Sequence, residues 1–247
     1  MDGYTRETDR HQYESPALKE VVVTLQLGEV FFRPALPGFC ESVFPELRAK
    51  PIDSASYPDA NLDELSSLVV RMSSVDDPFH FQYGLGIMSF HALKPYIGFE
   101  MFLSKVERLL TSLLQRYEDL VIESPALLYL NEFDFSLEPV VIVDYFRIDP
   151  HIPRVGKRVP KQIREFRVYT DVEYEELRRA VQLGLYSYPE RQVGLQLECC
   201  STLADEARWS ADSVVEWLRT SHDILGDTFE TVITDRTRDF MKRKDQE

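Results

Sequence analysis

Apolar residues recur along this chain with two different periods, and the switches between them outline its elements. Lys19 to Leu27 (KEVVVTLQL) is rich in valine and leucine just after Pro16 and predicts a strand. Ser67 to Ser73 (SLVVRMS) and Phe79 to Ala92 (FHFQYGLGIMSFHA) predict more strands, the second run folding on itself at Gly84 and Gly86 as a hairpin or bulge. The links are too short for a crossover helix, so the pairing is expected to be antiparallel. Between these runs, Phe39, Val43 and Leu47 predict a short helix over Gly38 to Arg48 that Pro45 interrupts. Phe31 to Pro37 reads as a turn, and Pro51 to Asn61 as a polar loop.

The clearest helix spans Gly98 to Tyr117. Its Phe99, Phe102, Val106, Leu109, Leu113 and Tyr117 repeat at three- and four-residue steps and form one apolar face. Ala126 to Phe135 and Pro139 to Ile148 return to strand chemistry, joined by a tight link at Ser136 to Glu138. After a proline-rich stretch, Arg164 to Tyr169 predicts a short strand. Thr170 with Glu173 then predicts a capping box, opening a helix with Tyr174, Leu177 and Val181 on its apolar face. Val193 to Cys199 is a strand, and Asp212 to Met241 a last helix with Ser213 and Glu216 as its capping box. Lys242, Arg243 and Lys244 suit that helix's negative C-terminal end.

The sum is an α+β protein in which antiparallel sheet packs against long amphipathic helices. Residues 1–15 read as a flexible arm, 16–148 as an N-terminal α+β half, 149–162 as a linker, and 163–247 as a C-terminal half ending in a long helix. Both halves follow strands with a helix, which raises internal duplication without a residue-level repeat.

Charge and composition narrow the function more than they define it. The net charge of −14 disfavours non-specific contact with nucleic acid and permits a basic partner. Cys40, Cys199 and Cys200 are odd in number, and two are adjacent, so they read as free thiols of a reducing compartment. Residues 1–15 lack the apolar core of a signal peptide, and no apolar run approaches a membrane span, so the expectation is a cytoplasmic protein with no membrane contact.

Candidate chemistry is sparse. No Gly-x-Ser-x-Gly elbow, HExxH, phosphate-binding loop or zinc-ligand spacing is present, so no catalytic residue, metal ligand or cofactor is assigned. His80 and His91 sit near one end of the expected hairpin with Asp76 and Asp77 close by, where a metal or acid–base pair is conceivable but ordinary sheet histidines are favoured. Cys40 beside Glu41 and Ser42 lacks a sequence-placed partner, and His222 reads as a surface histidine. Most conspicuous is a basic run, Arg154, Lys157, Arg158, Lys161, Arg164 and Arg167, broken only by the acid Glu165. That run is the candidate ligand-binding segment, for a phosphate, a nucleic-acid backbone or an acidic partner.

Four phrases resemble a sporadically distributed, uncharacterised family of prokaryotic proteins of about this length. They are Tyr13 to Val22; His80 to Gly86 continuing through Leu93-Lys94-Pro95-Tyr96 to Phe102; Leu128 to Phe133; and Trp217-Leu218 with His222, Leu225, Phe229, Ile233 to Asp235 and Arg238. The resemblance spans nearly the whole chain in order. It departs at Glu132, where the family commonly carries a basic residue, so no basic-ligand role is expected of that strand. It implies no catalytic residue, and its patchy distribution implies a defence or toxin-neutralising setting. The leading expectation is therefore a non-enzymatic, cytoplasmic protein-binding adaptor with a protein partner, and homodimerisation on base rates. The alternatives are nucleotide or nucleic-acid binding through the basic run, and a cryptic hydrolase using His80, His91 or Cys40.

Overall fold

The computed structural model describes residues 13, 16–28, 35–51, 68–74, 76, 78–84, 86–135, 141–148, 167–174, 179–187, 192–201 and 209–242. Among the described residues nine strands make one sheet: β1 (Leu18–Leu27), β2 (Arg48–Pro51), β3 (Leu68–Ser73), β4 (Phe79–Gly84), β5 (Ile87–Leu93), β6 (Ile122–Asp134), β7 (Arg167–Tyr174), β8 (Arg179–Ser187) and β9 (Gln192–Ser201). Their order is β2-β3-β4-β5-β1-β6-β9-β8-β7, and every neighbouring pair is antiparallel. The helices among the described residues are α1 (Leu36–Val43), α2 (Phe99–Arg116), α3 (Ile142–Tyr145), α4 (Ala211–Val232) and α5 (Asp235–Phe240). The architecture is α+β. None of the described helices is long and apolar enough to cross a membrane.

The sheet's two-residue period sorts its side chains between two faces. On β1, Val21, Val23 and Leu25 join the main core, whereas Glu20, Val22, Thr24 and Gln26 point the other way. Register carries that division across the neighbours, since Val23 lies opposite Phe90 of β5 and Leu127 of β6, all fully buried. Phe102, Val106, Leu109 and Leu113 of α2 join the same core, as do Val214, Leu218 and Leu225 of α4. The two helices touch, and Arg219 of α4 reaches Glu100 of α2 at 3.3 Å. That helix-covered side is the inner face of the sheet.

Two strands, β1 and β6, are each followed by a run that returns to pair with them, four strands long after β1 and three after β6. β1 is followed by the run β2 to β5, which returns to pair with β1, and then by α2; β6 is followed by β7 to β9, which returns to pair with β6, and then by α4. Strands from either side of residues 149–162 lie in one sheet, joined where β6 pairs with β9. The linker expected over 149–162 lies outside the described residues.

Four sequence expectations are corrected. The helix expected from Thr170 does not form: Thr170 and Glu173 lie in β7 and Val181 in β8, with Thr170 opposite Leu183 and Val172 opposite Val181. The same residues also alternate, Val168, Thr170 and Val172 against Tyr169, Asp171 and Glu173, and the partner β8 decides between the two periods. The strand expected over Pro139 to Ile148 is instead, from Val141 on, the short α3 followed by a single bridge from Phe146 to Ile233, because a continuous apolar run fits either a buried helix or a strand. The helix expected over Gly38 to Arg48 stops at Val43, two residues ahead of Pro45, and Arg48 to Pro51 is strand β2. The last helix breaks at Ile233 and Thr234, where Thr234 N–H donates to Tyr145 O at 3.0 Å and its hydroxyl to Asp144 O at 2.6 Å. Its start is also shifted: Ser210 is the N-cap and Ser213 its reciprocal partner, so the box is Ser210 with Ser213 rather than Ser213 with Glu216.

Candidate functional site

On the inner face, the end of β1 and β6 nearest Tyr13 leaves a cavity of about 250 Å³ beneath α4. Tyr129 and Asn131 of β6 form part of its wall, two residues apart and so on one side of the strand. His222, Leu225, Gly226 and Phe229 supply the wall above, at the three- and four-residue steps that align along one helix face. Tyr13, Pro16, Ala17 and Leu18 close a third side, and Tyr96 enters from the link between β5 and α2. That link needs Gly98, the N-cap of α2, whose φ of 89° and ψ of 150° fall where essentially only glycine goes.

The polar groups around the cavity form two clusters. Tyr129 Oη lies 2.6 Å from His222 Nδ1, and the His222 ring stacks on Phe99 with centroids 3.9 Å apart and planes at 7°. His222 is therefore half-buried and held, which corrects the surface histidine expected from the sequence. Nearby, Tyr13 Oη donates to Glu230 Oε1 at 2.8 Å, and Arg238 Nε donates to Glu230 Oε2 at 3.1 Å. Burial, reinforced by the Glu230 carboxylate, raises the Tyr13 phenol well above the ordinary range. The Tyr96 hydroxyl is different. It is buried beside Tyr129, and burial raises its phenol well above the ordinary range while the Tyr129 side chain acts against that shift.

The outer face carries a second constellation. His80 of β4 lies directly opposite His91 of β5, as the hairpin reading expected, and their rings stack 4.4 Å apart at 8°. Ser89 Oγ is 2.9 Å from His91 Nε2, and His91 Nδ1 is 2.7 Å from Glu20 Oε1. A carboxylate only accepts, so the Nδ1–H tautomer donates to Glu20 and leaves Nε2 to accept from Ser89. Desolvation, with smaller contributions from His91 and Arg71, pushes the His80 pKa down to about 2, so this imidazole stays neutral. Donor atoms of Glu20, His80 and His91 lie within 4.8 Å of one another. A cation binds in the plane of each imidazole at about 2.0–2.1 Å, however, so parallel stacked rings would have to tilt apart to share one.

The remaining sequence candidates fare differently. Cys40 is fully buried and its thiol is pushed up to about 12 by desolvation, with Glu41 adding to it, which removes it as a nucleophile at neutral pH. Cys199 faces the core and Cys200 the opposite side, and all three thiols are free. Of the basic run, Arg154, Lys157, Arg158, Lys161 and Arg164 lie outside the described residues, and Arg167 is the first residue of β7. Sequence reasoning missed the cavity because its residues are far apart in the chain. Compared with protein-family models, curated proteins and solved structures, the chain matches none.

Proposed function

We propose that this chain is a non-catalytic binding protein whose site is the cavity beneath α4, and that it takes there a single apolar group carrying one hydrogen-bonding atom. The make-up of the cavity wall supports this most directly. Tyr96, Tyr129, Asn131 and His222 set a few polar groups into a wall otherwise made by Pro16, Leu197, Leu225 and Phe229, the mixture that orients a small apolar ligand. Size limits the ligand. At about 250 Å³ the cavity falls below the roughly 300–1,000 Å³ of pockets for drug-sized molecules, so it fits a ring or one side chain. A protein partner inserting one residue meets that limit, and the net charge of −14 favours a neutral or basic one. The repeated connectivity supports reading the two halves as copies of one unit. A defence-associated setting rests on the family resemblance alone, and a cytoplasmic one on the odd, partly adjacent cysteines.

Ligand-observed NMR with a library of small aromatic and aliphatic fragments tests this reading. Binders are expected that are lost in Leu225→Trp, which fills the cavity. In Tyr96→Phe they should weaken about three- to tenfold, the worth of one hydrogen bond. Fragments that bind all three proteins alike, or none that bind the wild type, would refute the site.

One observation favours a second reading. Ser89, His91 and Glu20 stand in the order of a hydroxyl nucleophile, its base and the carboxylate that orients the base. In an acyl transfer Ser89 Oγ would attack the carbonyl carbon while His91 Nε2 takes its proton and returns it to the leaving group. Ser89 is only 5% exposed, which places this reading behind the first. A fluorophosphonate probe that labels the wild type but neither Ser89→Ala nor His91→Ala would promote it, and an unlabelled wild type would end it.

A further inference from the structure

The two edges of the sheet are unlike. At one end β2 is four residues long and finishes on Pro51, which has no N–H to offer, so that edge is blunted. At the other end β7 is twice that length, and among the described residues no further strand lies beyond it. From Tyr169 to Glu173 its side chains are open to solvent: Thr170, Asp171 and Glu173 are exposed, Tyr169 is 60% and Val172 42% exposed. Val172 lies on the sheet's inner-face side, in line with Val168, and that leaves an apolar residue half uncovered at the rim of the core.

The sequence of β7, Arg-Val-Tyr-Thr-Asp-Val-Glu-Tyr, is basic at its start and acidic at its end. Antiparallel pairing of such a strand with itself brings opposite charges together. We propose that β7 pairs with β7 of a second copy about a two-fold axis at Thr170, continuing the sheet from one subunit into the other. An axis perpendicular to the sheet puts the helix layers of both copies on one side and sets each residue against one of the same face. With Thr170 opposite itself, Arg167 faces Glu173 of the second copy, Tyr169 faces Asp171, and Val168 faces Val172. Symmetry makes each of these pairs twice, and Val172, which already has Val181 of β8 on one side, gains an apolar neighbour on its open side. Adjacent registers that keep the faces matched do worse. Centring on Asp171 opposes two carboxylates, and centring on Tyr169 leaves Val172 and Glu173 beyond the paired residues. Cross-strand charge pairs and β-branched pairs are the unit by which sheets are stabilised, so one register is preferred.

Charge reversal with the full-length chain tests the interface, read as the dimer dissociation constant by analytical ultracentrifugation. Arg167→Glu and Glu173→Arg each set like charges opposite at two places and should weaken the dimer about tenfold or more. The double variant Arg167→Glu/Glu173→Arg restores both pairs and should recover wild-type affinity, an outcome that misfolding could not give. Thr170→Cys checks the register: directly opposed residues have Cα atoms about 4.5–5.5 Å apart, within disulfide range, so mild oxidation should link two copies. A wild-type monomer at its highest soluble concentration would overturn the proposal. So would a dimer indifferent to both single reversals, or a Thr170→Cys chain that does not cross-link.

Discussion

Gly38 and Gly98 allow backbone conformation to be measured apart from packing. A Cβ built on either glycine has nothing within 4 Å, so Gly→Ala at either position introduces no clash. The backbone at the two sites differs. Gly38 lies inside α1 with helical geometry, and alanine there removes unfolded-state freedom and improves helix propensity, worth about 0.5–1 kcal/mol of added stability. Gly98 has φ 89° and ψ 150°, where a side chain costs of order 1–3 kcal/mol. For a domain of this size, roughly 2 °C of melting temperature corresponds to 1 kcal/mol. Gly38→Ala should therefore melt about 1–2 °C above wild type and Gly98→Ala about 2–6 °C below it, by differential scanning calorimetry. Because Gly98 sets the approach of Tyr96 and of Phe99 beneath His222, its variant should also lose fragment binding, whereas Gly38→Ala should keep it. Equal melting temperatures for the two variants, or a stabilised Gly98→Ala, would refute the backbone argument.

Two more predictions follow from the buried titratable groups. His80 has a folded-state pKa near 2 against about 6.5 when unfolded, so the unfolded chain takes up the proton first and stability falls as pH drops below about 6.5, by up to roughly 1.4 kcal/mol per pH unit. Urea midpoints between pH 7 and pH 4 should fall less steeply for His80→Phe, which keeps a ring against His91; identical slopes would show that His80 is not held neutral. Cys40 and Cys200, their thiols pushed up to about 12 by burial, should resist iodoacetamide at neutral pH in the native protein and react once it is unfolded, as intact mass reports. Rapid native alkylation of Cys40 would contradict its burial.

Local periodicity was enough wherever one element determined its own face. Phe102, Val106, Leu109 and Leu113 could sit only on one side of a helix, and Val21, Val23 and Leu25 only on one side of a strand, because side-chain direction is fixed by backbone geometry within a turn or two. A hairpin or bulge at Gly84 and Gly86 was legible for the same reason, which put His80 and His91 near one end, and the register of β4 on β5 then set them directly opposite. Where two periods fitted one stretch, the sequence could not choose. Thr170 to Val181 satisfied both a capped helix and an alternating strand, and only the availability of β8 and β9 beside it settled the matter. Tertiary structure alone decided which strands became neighbours, since β1 pairs with β6 across a hundred residues of chain order. It also decided the cavity, because Tyr13, Tyr96, Tyr129 and His222 carry no mutual spacing rule and meet only when β1 and β6 lie side by side under α4. The sequence by itself determined the elements' faces and the chain's acidity; which faces came together was a matter of long-range pairing, whose free energy depends on partners that no local window contains.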